Sequence, residues 1–96
     1  MELKLSEAIR IGATKRPQMC LGFYFNQGRS CALGAAYEGV TSEYNEDIGF
    51  FDITEFFPQL HEMVDNTPLY NHVIGQNDAL MIPREEIADW LETKGY

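Results

Sequence analysis

From Ser30 to Gly39 the chain reads Ser-Cys-Ala-Leu-Gly-Ala-Ala-Tyr-Glu-Gly, a stretch in which only Leu33, Tyr37 and Glu38 carry long side chains. Ser30 can cap a helix running from Cys31 to about residue 38, with Gly39 at its C-terminal end. Gly34 in the interior of that helix costs about 0.8–1 kcal/mol relative to alanine. Close approach of another backbone recovers such a cost. The pattern therefore predicts a helix at the centre of the fold, with Leu33 and Tyr37 on one face supplying the larger contacts.

The rest of the chain is arranged around that helix. Leu5, Ala8, Ile9, Gly12 and Ala13 share one helical face. Ser6 as N-cap, Glu7 in the first turn and Pro17 as a stop predict a helix over about residues 6–16. The apolar run ending at Phe25, followed by Asn26-Gln27-Gly28, predicts a hairpin pairing roughly residues 21–25 with 29–31. Residues 41–52 read as an acidic loop, broken at Gly49 and anchored by Phe50-Phe51. A helix then starts at Thr54 or Phe57, with Pro58 in its first turn and Leu60, Met63 and Val64 as its apolar stripe. Thr67-Pro68 opens a further short helix that turns Leu69, Val73 and His72 inward and ends at Gly75. Residues 76–82 read as a loop turned by Asn77 or Asp78. The last helix begins near Pro83, runs from Arg84 to Glu92 and buries Ile87, Trp90 and Leu91. Trp90 is expected to anchor the core, so that truncation to alanine costs about 3–5 kcal/mol. The expected fold is mostly α: one compact domain, residues 1–96, of about five short helices with a small β-hairpin. A chain of 96 residues buries about 65% of its unfolded surface, enough for one core.

Charge is unevenly distributed. The formal net charge is −8, yet residues 1–29 are net positive. Between Ser30 and Pro83 there are nine acids and no Lys or Arg. An acidic balance argues against binding a nucleic-acid backbone. Charge of this kind either lies against the basic N-terminal segment or offers an acidic face to a basic partner. Only His61 and His72 could bring positive charge into that middle region. No apolar run has signal-peptide or membrane-span character, so a cytoplasmic setting is expected. Cys20 and Cys31 could form one disulfide, although thiols in that compartment stay reduced. Cys31, among small and apolar residues, reads as a buried thiol.

Chemistry-bearing combinations are sparse. His61 and Asp65 are spaced to share a helix face, as half of a metal site or as a surface ion pair. His72 would have to combine with Cys31 for nucleophilic catalysis, and the spacing favours a satisfied core histidine. Glu43, Glu46, Asp47 and Asp52 lack the alternation of a calcium loop. Gly28-Arg29-Ser30 entering a helix could hold an anion, and a turn with an N-cap explains the same residues. No phosphate loop, dinucleotide fingerprint or nucleophile elbow is present, and no cofactor is expected.

Taken together, Ser30-Cys31-Ala32-Leu33-Gly34-Ala35 and the later Asn77-Asp78 resemble a pattern in small uncharacterised bacterial and phage domains. In those, a CALGA-type helix follows a turn and an ND loop precedes a short amphipathic helix, here Arg84 to Glu92. The resemblance spans most of the chain from Gly22 onward, with Gln76 where an aromatic residue usually precedes the ND pair. It implies a fold relation and no activity. The functional expectation is an accessory or protein-interaction module, with a protein partner or a second copy bound through exposed aromatics drawn from Phe23, Tyr24, Phe25, Phe50, Phe51, Phe56 and Phe57. The alternatives are a small-ligand or metal-binding module and, last, an enzyme. The residues singled out are Cys31, His61, Asp65, His72, Asn77 and Asp78.

Overall fold

The computed structural model describes residues 3–20 and 22–96, and its centre is a crossing of two helices whose backbones touch. Helix α1 spans Leu5–Ala13 and helix α2 spans Ala32–Thr41. A Cβ atom added at Gly12 would stand 1.8 Å from the carbonyl oxygen of Ala35, and one at Gly39 would stand 2.1 Å from that of Ala8. Small residues therefore let the two helices touch, whereas Gly34, the glycine from which close approach is predicted, meets the Tyr24 carbonyl instead of α1. Gly39 serves the same crossing and does not end the helix. The chain leaves α2 at Ser42, whose φ of 62° is left-handed.

Two expectations about α1 are corrected. Its cap is Lys4, whose backbone N–H donates to Glu7 Oε1 at 3.0 Å; Ser6 lies inside the first turn and its N–H meets the carbonyl of Tyr96. The helix also ends at Ala13, before Lys15 and Arg16: the Thr14 hydroxyl donates to the Ile11 carbonyl at 2.7 Å, and Pro17 disfavours helical backbone at Arg16. Strands β1 (Phe25–Asn26) and β2 (Arg29–Ser30) form the expected hairpin. Its two-residue turn places Gln27 and Gly28 at φ 52° and 76°, the positive-φ pair that matches strand twist. Leu21, the expected start of the first strand, lies outside the described residues. Ser30 belongs to β2, and Cys31 is the N-cap of α2.

Residues 50–82 depart furthest from expectation. Helix α3 spans Phe50–Phe56, starting within the segment expected to be loop, because the Asp52 carboxylate accepts the Gly49 N–H at 2.7 Å and closes the first turn. Pro58 ends that helix and opens a 3-10 turn, Pro58–His61. Strands β3 (Met63–Val64) and β4 (Thr67–Pro68) then make a second hairpin. Asp65 and Asn66 occupy its turn at φ 52° and 65°, a conformation these short polar side chains tolerate. The expected Leu60/Met63/Val64 stripe is thus split: Leu60 is fully buried while Met63 is 62% exposed. Helix α4 (Leu69–Ile74) buries Leu69 and Val73 and runs without a break into a π-helical turn, Gly75–Ala79.

Helix α5 (Arg84–Thr93) lays Ile87, Ala88 and Leu91 against α1. Trp90 corrects the expected core: it is half-buried at the rim, its ring 5.4 Å from that of His72 and 5.8 Å from Lys94 Nζ. The result is a mostly α fold, with five helices and two small antiparallel hairpins among the described residues. Its Cα radius of gyration is 11.7 Å, against about 12.5 Å for a compact chain of this length.

Candidate functional site

Two polar side chains join the segments around the N-terminus of α2. Asn77 lies in the π-helical turn and is 1% exposed. Its Oδ1 accepts from the Ala32 N–H at 3.0 Å and from Gln18 Nε2 at 2.9 Å. Its Nδ2 donates to the Met19 carbonyl and to Asp78 Oδ1, at 2.8 and 2.7 Å. The π-helical turn points the amide inward, so the residue expected to turn a loop is instead a buried bridge. Asp78, beside it, is half-buried.

Arg84 is the second joint and is 7% exposed. Its guanidinium donates to the carbonyls of Ala13, Arg16 and Ser30 and to Ser30 Oγ, at 3.4, 2.6, 3.2 and 2.8 Å. Burial lowers its pKa from the usual arginine value, while the carbonyls at the end of α1 offer the negative end of that helix. Sequence reading treated Arg84 only as the start of α5. A signal was present: a cation in the first helical position opposes the helix dipole, so the residue must be held by something else.

Between the Asn77 joint and α4 lies a cavity of about 160 Å³. Phe23, Tyr24, Leu33, Ile74, Cys31 and Asp78 are among the residues that line it. The Tyr24 carbonyl rests on the first turn of α2, held by the Cys31 N–H at 3.0 Å and admitted by Gly34, where a Cβ would come within 2.1 Å of that oxygen. Cys31 Sγ accepts the Gly34 N–H at 3.4 Å. Burial pushes the Cys31 thiol up to about 11, so it is neutral and a poor nucleophile near pH 7. Burial first, and then Cys31 and Asp78, raise the Tyr24 phenol above the ordinary tyrosine value. The first-turn amides of Ala32 and Gly34 are taken by Asn77 and Cys31, so of the two readings of Gly28-Arg29-Ser30, an anion site or a turn with an N-cap, the geometry favours the turn. Cys20 and Cys31 are both free thiols.

The remaining candidates lie elsewhere. His61 and Asp65 do not form a helical pair, because the 3-10 turn ends at His61 and Asp65 sits in the second hairpin turn. His61 instead joins an aromatic group: Phe50 lies 5.6 Å from its ring, 4.9 Å from Tyr70 and 6.3 Å from Phe51. Phe51, expected to anchor the loop, is 79% exposed. His72 is not among the residues that line the cavity with Cys31, and it shares a hydrogen bond of 2.7 Å with the Val64 carbonyl. Among the described residues no group of three or more His, Cys, Asp or Glu side chains could hold a metal ion. No helix of the described residues is long and apolar enough to cross a membrane.

Comparison of the chain with protein families, curated proteins and solved structures gives no match.

Proposed function

We propose that this chain is a cytoplasmic protein-interaction module whose contact surface is the aromatic group centred on Phe50. The observation that carries the reading is Phe51, a large apolar side chain left 79% exposed and continuous with Phe50, His61 and Tyr70. Exposed aromatics in contact with one another are characteristic of binding surfaces. Around them the charge is negative. Of the nine acids between Ser30 and Pro83, Glu38 is ion-paired, with Arg16 at 2.7 Å; the other two ion pairs among the described residues join Arg10 to Asp89 and Glu92. Asp52 and Glu55 are exposed on α3 itself. The partner implied is a basic protein segment with apolar side chains. A second copy of the chain would bring like charges together, which disfavours self-pairing through this face. The resemblance to small bacterial and phage domains adds a fold relation to this reading.

The test is affinity capture with paired baits. A Phe51→Asp bait should fold like the original, since a substitution at an exposed site changes stability by about 0.5 kcal/mol or less. It should fail to retain a basic protein that the original bait retains, and that retention should weaken with salt. Equal retention by both baits would sink the reading, as would self-association in light scattering that Phe51→Asp abolishes.

A further inference from the structure

We propose that the cavity beside the first turn of α2 binds a small organic cation, a primary ammonium on a benzene-sized apolar body, with Asp78 as its counter-ion. Size sets the first limit. The volume is about 160 Å³, and a dry cavity of about 150 Å³ accepts benzene. Leu33, Val73, Ile74 and Phe23 supply apolar wall, so the body of the ligand is hydrocarbon.

The polar groups then decide the charge. Asn77 is consumed by four hydrogen bonds within the protein. The sulfur of Cys31 already takes the Gly34 N–H. What remains is the Tyr24 hydroxyl and the second carboxylate oxygen of Asp78; Asp78 Oδ1 accepts one bond, from Asn77. No Lys, Arg or His is among the lining residues, and Asp78 has no ion-pair partner among the described residues. The amides of Ala32 and Gly34 are bonded, and the Leu33 N–H is directed at the Cys31 sulfur, so the helix N-terminus offers little to an anion. The cavity is thus acceptor-rich and negative, with the rings of Phe23 and Tyr24 in its wall. Both features attract an ammonium group, through a charge-assisted hydrogen bond and through the aromatic faces. One carboxylate and one phenol are too few donors for a metal ion.

Three probes of one shape test the assignment: benzylammonium, benzyl alcohol and benzoate, titrated separately into the whole protein at neutral pH and followed by amide NMR. Benzylammonium should give saturable shifts at Phe23, Leu33 and Asp78. Benzyl alcohol should bind about tenfold more weakly, the worth of a hydrogen bond to a charged group, and benzoate should not bind. Asp78→Asn keeps an oxygen to accept from Asn77, and it should bring the ammonium down to the affinity of the alcohol. Tyr24→Phe keeps the ring and should weaken both by a few-fold. Equal binding of the alcohol or of benzoate to the original protein would overturn the proposal. So would absence of saturable shifts with all three probes, or unchanged ammonium affinity in a folded Asp78→Asn protein. If that variant does not fold, the three-probe comparison and Tyr24→Phe decide.

Discussion

The two ends of the chain and its middle are stabilised in different ways. Helices α1 and α2 meet through side chains that are small or absent, Gly12 over Ala35 and Gly39 over Ala8, and α5 packs on α1 with Ile87, Ala88 and Leu91 fully buried. Residues 50–82 are a series of short pieces, of which α3 has seven residues and α4 six. Helices so short are not stable alone. They are held by side chains that point into the first region: Phe57, Leu60, Leu69 and Val73 into the core, and Asn77 into the polar joint. The middle also carries most of the exposed large apolar side chains: Phe51, Phe56, Met63, Leu80 and Met81. Close helix packing leaves no freedom at the crossing, whereas short linked pieces leave apolar surface outside. A molecule built this way has its rigid frame in one region and its available surface in the other.

The largest effect should come from Gly12→Ala. The added methyl would stand 1.8 Å from the Ala35 carbonyl oxygen, and neither atom belongs to a flexible side chain. The helices must separate, and their shared core opens with them. Overpacking ordinarily costs about 1–3 kcal/mol; a backbone-to-backbone clash at the main crossing should exceed that and reach about 4 kcal/mol, a large part of a total near 5–15 kcal/mol. Chemical denaturation measures it. A loss below about 1 kcal/mol would mean that the crossing is not the rigid frame.

Asn77→Ala tests the joint between the two regions. It leaves the Ala32 N–H and the Met19 carbonyl buried without their partner. Unsatisfied buried groups cost about 1–3 kcal/mol each, and partial relaxation brings the expected loss to about 3 kcal/mol. Hydrogen exchange should accelerate in α4 and the π-helical turn more than in α1 and α2. Equal acceleration in all four would show that the regions unfold as one unit.

What the sequence disclosed follows the same division. The small-residue helix, its central place and the buried positions Leu69, Val73, Ile87 and Leu91 were legible, because helical periodicity and glycine placement are local signals; the crossing at Gly12 and Gly39 was not, because a glycine on a helix face does not say which backbone meets it. The α3 start, the second hairpin and the π-helical turn were not. Each depends on one short-range choice that competes with a helix of similar strength: Asp52 closing on Gly49, Asp65-Asn66 taking left-handed backbone, and Asn77 turning inward. At the candidate sites, the chemistry of Asn77 and Asp78 was read as turn formation. The partners of Asn77, which are Gln18, Met19 and Ala32, lie more than forty residues away, a distance that no motif spans. The expected His61–Asp65 pair failed for the complementary reason: the spacing was right for a helix, and the helix is not there.

The smallest expected effect concerns the meeting surface itself in alkaline solution. Cys31 caps α2 and lines the cavity against α4, and burial raises its thiol from 9.0 to about 11. A group whose pKa is higher folded than unfolded stabilises the fold fully below its unfolded value, and this contribution is lost as pH rises through its folded value. Stability should therefore decline between about pH 9 and 11, by about 1 kcal/mol at pH 10 from Cys31. Tyr24 rises in the same direction and adds to the decline above its ordinary value of 10.0. Cys31→Ser keeps an oxygen able to cap the Gly34 N–H and removes the titrating thiol. Denaturant midpoints measured at pH 8 and pH 10 should differ less for Cys31→Ser than for the original chain. Because the thiol lines the cavity together with Val73 and Ile74 of α4, while the α1–α2 crossing is made further along α2 at Ala35 and Gly39, exchange at pH 10 should increase first in residues 69–79. An increase led by α1 would place the weaker contact at the glycine crossing and reverse the assignment of frame and surface.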